Sequence, residues 1–415
     1  QGYRILATMD ALKLVAVFVV IVLALRKKLS VGITLFGAGV ITSLLYRVEL
    51  SALLGGYWSL IKSERFISLT AVIVLITILG QLLKELKSLE KLSEACQGLY
   101  GGNKTAVAVL PPLVGLMPMP GGALLSAPLV GNVLAAPKYS PDFKTASNYW
   151  FRHIVEFCWP IYPGLILTEA ITGLPIGSVA LMQSPLTILM ILIGLVFFIR
   201  KVENSHFNQS HFWRPVIGIL SAIWPIVLAI AVYGIFKVQL AWAVLFSLIV
   251  LVGIARPKKE SLVAALRKGL SYKLIFLVFG TLSFQTALEL SGAIGSIPKL
   301  SLQFNLPPEL LIFLVCFTAG ILTGMVAAFV AMSYPLLAGF LYQPEILPCH
   351  ILLAYLSGYI GMILSPTHLC LILTNEYFHS DLLKVYRRLV IPVIFLALLG
   401  LLLYLSPWCN LFKLP

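Results

Sequence analysis

Apolar runs about as long as a bilayer is thick recur along this whole sequence, and no other feature restricts its folding so strongly. A helix rises about 1.5 Å per residue and the hydrocarbon layer is about 30 Å deep, so roughly 20 consecutive apolar residues make one span. Ten runs meet that measure: 9–25, 29–46, 66–83, 146–172, 176–199, 215–236, 238–255, 274–290, 349–377 and 389–405. With 60% hydrophobic and only 11% charged residues, polar side chains suffice for short connections and not for a water-facing surface, which excludes a string of soluble domains. The expected class is an all-α polytopic membrane protein.

The net charge of +14 is not a nucleic-acid signature here, because the bases stand in short clusters beside the apolar runs, as they do where a chain marks its cytoplasmic side. Arg26, Lys27 and Lys28 follow the first run, which has no small-residue cleavage site and so is expected to be retained as a span. The six cysteines, Cys96, Cys158, Cys316, Cys349, Cys370 and Cys409, show no CxxC spacing and read as packing residues.

Two further apolar stretches, about 104–137 and 308–341, are too long for one upright helix and carry helix breakers near their middles. The first holds Met117-Pro118-Met119-Pro120-Gly121-Gly122, the second Gly320 and Thr323-Gly324. Arms of some 14 residues reach only part of the way across a membrane, which fits a re-entrant hairpin in each; one tilted, kinked helix apiece is the alternative. Charge favours the hairpins. With both returning to the side they entered, 21 Lys and Arg fall on one side and 8 on the other, with Arg152 inside a span. The richer side is then cytoplasmic.

The chain also repeats itself. Shifted by 206 residues, 149–168 lies on 355–374 with seven identities in twenty, among them Tyr149/Tyr355, Pro160/Pro366 and the run Leu165-Ile166-Leu167-Thr168 on Leu371-Ile372-Leu373-Thr374. In each half a hairpin ending in Ser-x-Pro precedes this segment, Ser126-Ala127-Pro128 and Ser333-Tyr334-Pro335. The charge-based topology gives the halves opposite orientation: two inverted five-helix repeats, 1–203 and 214–415, joined by a cytoplasmic linker at 204–213. Each contains a hairpin and a broken transmembrane helix, 146–172 and 349–377. Such repeats are a hallmark of secondary transporters. Amphipathic stretches at 84–97 and 258–272 are expected at the cytoplasmic interface or as solvated helix extensions.

The breaks are where chemistry is expected. Cys158-Trp159-Pro160-Ile161-Tyr162-Pro163-Gly164 and Ser365-Pro366-Thr367-His368 interrupt their spans near the midplane. Proline frees backbone carbonyls there that lipid cannot satisfy, so water, a cation or a solute must. Helices restarting after Gly122, Pro163, Gly324 and Pro366 point four positive N-terminal ends at the same depth, which favours an anionic solute. Candidate solute-binding residues are therefore Pro118, Pro120, Gly121, Gly122, Ser126, Tyr162, Thr323, Gly324, Ser333, Ser365, Thr367 and His368.

Ionisable residues inside spans are few. Glu156 lies near a span's middle, with Arg152 at i−4 and His153 at i−3. Arg152 and Glu156 either form a buried structural pair or act in transport, with Arg152 attracting an anion and Glu156 or His153 carrying a coupling proton. Asn148, Thr374 and Asn375 complete the candidate ion-coupling set, and Na+ is possible at the broken turns on Ser365 and Thr367. His368 is either a solute ligand or the partner of a freed carbonyl.

Inverted halves, a hairpin in each and a following broken helix with a Ser-x-Thr turn resemble the ion transporter superfamily over essentially the whole chain. Pro118-Met119-Pro120-Gly121-Gly122-Ala123-Leu124-Leu125-Ser126-Ala127-Pro128-Leu129-Val130 and Ser365-Pro366-Thr367-His368-Leu369-Cys370-Leu371 look like a prokaryotic integral-membrane branch of it, of unknown function. The resemblance implies solute and coupling ions bound at the hairpin tips and broken turns, and an elevator motion against a scaffold. The first broken turn, Pro160-Ile161-Tyr162, lacks the Ser-Asn-Thr pattern of dicarboxylate members, which puts a symmetric pair of Na+ sites in doubt. The function expected is a secondary active transporter of a small anionic solute in the prokaryotic cytoplasmic membrane. Na+/H+ antiport and a passive channel are the alternatives. An intramembrane enzyme is disfavoured, since HExxH and GxSxG are missing. No cofactor is expected beyond coupling Na+ or H+. The expected partners are the solute, the bilayer and a second copy in a homodimer, with no nucleic acid.

Overall fold

The structure is a computed structural model describing residues 2–88, 91–92, 95, 102–116, 122–203 and 213–412. Among them every regular element is helical. Helices α1 (Gly2–Arg26), α2 (Val31–Leu45), α3 (Leu50–Lys62) and α4 (Glu64–Glu85) lead to a short pair, α5 (Gly102–Gly115) and α6 (Ala123–Val133). Then come α7 (Pro141–His153), a 3-10 turn (Ile154–Phe157), α8 (Pro163–Thr172) and α9 (Ile176–Phe197). After the linker, α10 (Trp213–Phe236), α11 (Leu240–Ala255), α12 (Lys259–Gly269), α13 (Tyr272–Leu290) and α14 (Ser296–Gln303) precede a second short pair, α15 (Pro308–Thr323) and α16 (Val326–Leu336). Finally α17 (Pro348–Ile363), α18 (Leu369–Phe378) and α19 (Leu382–Leu405) follow.

Local chemistry sets these limits. Pro141, Pro163, Pro308 and Pro348 occupy first-turn positions, where the missing N–H costs nothing. Gly324 ends α15 at φ +59°, a left-handed conformation that glycine adopts without a Cβ penalty. The two spans expected to break do so: α7 gives way to the 3-10 turn and α8, and α17 to α18, with irregular backbone around Pro160 and Pro366.

Among the described residues, four helices, Glu64–Glu85, Ile176–Lys201, Ile217–Phe236 and Leu382–Leu405, are long and apolar enough to cross a membrane. Among the others, α1 runs for 25 residues, and the apolar helices Val31–Leu45, Leu240–Ala255, Pro308–Thr323, Val326–Leu336, Pro348–Ile363 and Leu369–Phe378 are shorter. Several of the apolar runs read from sequence form shorter helices, because the broken runs become two arms and because α2 and α11 stop at 15 and 16 residues. Outward-facing Ile235, Phe236, Leu398, Leu402 and Leu405 suit hydrocarbon and not water. Together these features describe a membrane-embedded helical protein.

Packing depends on close backbone approach. α2 lies on α13 and α15 on α17. A Cβ at Gly280 would sit 2.0 Å from Gly32 O, and one at Gly320 2.1 Å from Gly358 O, so small residues set both crossings. The α5–α6 pair packs on α7 and α18, and the α15–α16 pair on α17 and α8.

Some expectations need correction or fall outside the described residues. Cys349 and Cys409 are joined as a disulfide, so they are not simple packing residues. Sequence could not pair them, because 60 residues separate them and the pairing arises only when the segment after α19 returns to the start of α17. The helices α3 and α14 were not anticipated, since each is too short and too mixed in polarity to register as a span. The linker at 204–212, Cys96, parts of 84–97 and the first hairpin tip, including Pro118, Pro120 and Gly121, lie outside the described residues.

Candidate functional site

The two broken helices cross at the centre of the molecule and satisfy each other's freed backbone. The Tyr355 hydroxyl donates to Glu156 O at 2.9 Å and the Tyr359 hydroxyl to His153 O at 2.8 Å. In return, the Tyr149 hydroxyl donates to Ile363 O at 3.1 Å. Thr187 of α9 takes Ile154 O at 2.9 Å. The 3-10 turn, unable to use lipid for its carbonyls, therefore borrows hydroxyls from neighbouring helices. Tyr355 and Tyr359 read as ordinary apolar-span residues in the sequence and gave no signal of this role.

Beside this crossing lies a cavity of about 190 Å³. It is lined by Arg152, His153, Glu156 and Tyr162 from the first broken helix, by Gly324 to Ala327 from the turn between α15 and α16, and by His368 to Cys370 from the second. The first residues of α8, α16 and α18 all face it, so three helix N-termini present partial positive charge to one small space. The fourth end expected from sequence, at Gly122, packs instead on the Arg152 guanidinium: a Cβ there would meet Nη2 at 2.9 Å.

Arg152 is the most strongly positioned group. It is 2% exposed, its Nη1 donates to Tyr162 Oη at 3.0 Å and stands 3.7 Å from Glu156 Oε1. Tyr162 donates onward to Gly115 O at the end of α5. Gly115 has no room for a side chain, since a Cβ would fall 2.6 Å from Arg152 O. His153 Nε2 lies 3.9 Å from Glu156 Oε1 and 3.0 Å from His368 Nε2.

The second turn is built from small hydroxyls. Ser365 Oγ donates to Ile321 O at 2.6 Å and lies 2.8 Å from Thr367 Oγ1. Thr367 Oγ1 reaches Leu322 O at 3.4 Å. Gly324 abuts this turn, its hypothetical Cβ only 2.8 Å from His368 N. Four oxygens thus gather where α15 ends, and Pro366 and Thr367 are exposed. Within hydrocarbon, an exposed polar turn of this kind needs water or a solute beside it.

Of the sequence candidates, the structure brings together Arg152, His153, Glu156, Tyr162, Gly324 and His368 around the cavity, with Ser365 and Thr367 adjoining. Asn148 ties Ala123 O (3.0 Å) to Thr374 Oγ1 (3.4 Å) behind α18. Ser126, Thr323 and Ser333 bond carbonyls of their own helices, Ala123 O, Ala319 O and Phe329 O, and do not line the cavity. Asn375 accepts from Ser380 Oγ at 2.6 Å, near the start of α7, where Thr145 meets the same hydroxyl. Two participants were missed. Cys370, read as packing, faces the cavity. Arg65, counted as a loop base, donates to Gln285 Oε1 at 2.7 Å and to Ala170 O in a separate, larger cavity of about 750 Å³; its place at the very start of α4 gave no hint of that.

The family described as a protein family of unknown function (DUF401) matches residues 9–406, nearly the whole chain, and the chain belongs to it. No curated protein matches it.

Proposed function

We propose that the chain is a secondary active transporter that moves a small anionic solute across the prokaryotic cytoplasmic membrane, driven by a Na+ or H+ gradient. The observation that carries this reading is the cavity where fully covered Arg152 and the N-termini of α8, α16 and α18 converge. A cation on a side chain plus three positive helix ends at membrane depth is an anion-binding arrangement, and among the described residues lining it the only carboxylate is Glu156. The same reading places the protein in the ion transporter superfamily, with α5–α6 and α15–α16 as hairpins entering from opposite faces.

Packing supports the inverted repeat. The partners of α2 and α13 recur in α11 and α4, those of α3 and α13 in α12 and α4, and those of α6 and α18 in α16 and α8. Hydrogen bonds repeat as well. Trp159 Nε1 and Tyr162 Oη hold the carbonyls of Leu116 and Gly115, and the carbonyls 206 positions on, those of Leu322 and Ile321, are met by Thr367 and Ser365 of the second turn, though not residue for residue. Tyr149 and Tyr355, paired by the same shift, donate reciprocally across the centre. In the charge-based topology the disulfide Cys349–Cys409 would face the exterior, which suits an oxidising compartment.

The quasi-equivalence also suggests where a Na+ ion would sit in this reading. Bulky Trp159 and Tyr162 cap the first pair of carbonyls, while the second pair keeps two small hydroxyls beside it. A Na+ ion seated there, with the hydroxyl protons turned away from it, would find Ser365 Oγ, Thr367 Oγ1 and two carbonyl oxygens, all neutral hard ligands. One Na+ site, in the second half, follows. Alternating access then has the hairpins and broken helices move as an elevator against the remaining spans, within an expected homodimer. The test is uptake into proteoliposomes of the purified protein with imposed Na+ or H+ gradients and a panel of small anions. Uphill, gradient-dependent accumulation of at least one anion supports the proposal; flux that follows only each anion's own electrochemical gradient refutes it.

A further inference from the structure

We propose that His153, His368 and Cys370 form a binding site for a borderline d-block cation of the zinc class, with the open coordination position facing the cavity. The ligand atoms of these three buried residues lie within 4.8 Å of one another. Two imidazoles and a thiol are the donor set that zinc-class ions take, and one that Na+, Mg2+ and Ca2+ do not. Around a tetrahedral zinc-class ion, with metal–nitrogen bonds of about 2.0–2.1 Å, two imidazole nitrogens stand about 3.3 Å apart. The two Nε2 atoms stand at 3.0 Å, so the ion needs only a slight spreading of the rings and an inward turn of the thiol.

The orientation of His153 is already that of a metal ligand. Its Nδ1 lies 2.7 Å from Tyr149 O. A carbonyl only accepts, so Nδ1 carries the ring proton and the Nε2 lone pair points at His368. A backbone carbonyl holding the remote nitrogen of a ligating histidine is the usual supporting contact at such centres. Nor is the simple histidine pair a settled arrangement. If His368 Nε2–H donates to that lone pair, its Nδ1 is left a bare acceptor, and this atom is buried without a hydrogen-bond partner. The site spans both halves of the chain, His153 preceding the first break and His368-x-Cys370 opening α18.

Binding of M2+ displaces the Cys370 thiol proton to solvent and forms an S–M bond, leaving the three-ligand centre with one net positive charge. Arg152 and Glu156 cancel each other beside it. The fourth position therefore favours an anion. That last point agrees with the transport reading, but metal binding does not depend on it and is measured without transport.

The test uses the full-length purified chain, treated with chelator and titrated with Co2+ under non-reducing conditions. One equivalent of Co2+ is expected to produce the visible bands of a four-coordinate ion together with a near-ultraviolet thiolate-to-cobalt band, both displaced by Zn2+. Cys370→Ser loses the thiolate band, His153→Asn and His368→Asn weaken Co2+ binding at least about tenfold, and Cys316→Ser, whose thiol contacts Ser333 instead, keeps both. Monodisperse wild-type protein that shows no thiolate band at saturating Co2+ overturns the proposal, as does a band that survives Cys370→Ser. Because the readout is spectroscopic, failure here leaves the transport proposal standing, and failure of transport leaves this one.

Discussion

Replacing Arg152 by Gln separates the two roles that its position allows, partner of Glu156 or ligand of an anion. At 3.7 Å and an effective dielectric constant of about 20, the Arg152–Glu156 attraction is about 4.5 kcal/mol. Removing one member of a buried pair typically costs about 3–5 kcal/mol, because the other charge stays buried alone. For a chain of this length the unfolding entropy is roughly 0.9 kcal/mol per degree, so Arg152→Gln should lower the Tm of the detergent-solubilised protein by about 3–6 °C. The Arg152→Gln/Glu156→Gln double variant leaves no lone charge and should regain at least half of that. Transport should respond differently. A charged hydrogen bond to the solute is worth about 1.5–3 kcal/mol, which raises KM for the anion about ten- to one-hundred-fold in the single and the double variant alike. Glu156→Gln alone should hold KM near wild type while abolishing the pH dependence of uptake. If the double variant transports with wild-type KM, Arg152 serves only to neutralise Glu156, and the anion-binding role is wrong.

Three further outcomes follow from other contacts. Ser365→Ala and Thr367→Val each remove a hydroxyl from the oxygen cluster at the end of α15, and should raise the Na+ concentration needed for half-maximal uptake about tenfold without altering H+ dependence; unchanged Na+ dependence in both would sink the cation site. Asp142, which precedes the span beginning at residue 146, is pushed up by partial burial but more than offset by hydrogen bonds from Arg388 and Ser140, so its folded carboxyl lies below the ordinary aspartate range. Its contribution to stability is present above the unfolded value of about 3.9 and is lost as pH falls through the folded value. Tm should accordingly drop more steeply below about pH 4 in wild type than in Arg388→Gln, and parallel curves would contradict the bridge. Finally, a membrane-impermeant maleimide applied to intact cells should label Cys349 and Cys409 only after reduction; labelling from the basic side alone would invert the assigned topology.

The legible part of this molecule was the part dictated by local backbone chemistry. Apolar run length announced the helices, Pro160 and Pro366 announced the breaks, and Thr323-Gly324 announced the turn ahead of α16, each because a missing N–H or a missing Cβ acts within a residue or two. Arg152, His153 and Glu156 stood out because charge inside a span is costly wherever its partners lie. What could not be read was any relation that closes only in three dimensions. Cys370 looks like one more small apolar residue until α18 turns its first residues toward His153, and nothing near Arg65 in sequence foretells Gln285, 220 positions away.

The repeat itself was legible as seven identities, but its meaning lies in the positions where the halves differ. Position for position, Trp159 and Tyr162 occupy the places of Ser365 and His368; both aromatic residues hold down the end of the preceding short helix, whereas in the second half Ser365 does so and His368 turns to His153. One half therefore uses aromatic side chains to close its carbonyls beside Arg152, while the other has small hydroxyls at its carbonyls and an imidazole lining the cavity. Under the proposed inverted repeat the two halves supply two half-sites, and divergence at these few residues would make one the fixed wall and cationic anchor and the other the exchangeable, polar face. If that division is correct, transplanting Ser and Thr into the first turn, as Trp159→Ser and Ile161→Thr, should create no second Na+ dependence so long as Tyr162 still holds Gly115 O. A gain of Na+ cooperativity in that variant would show that the aromatic closure is not what silences the first half.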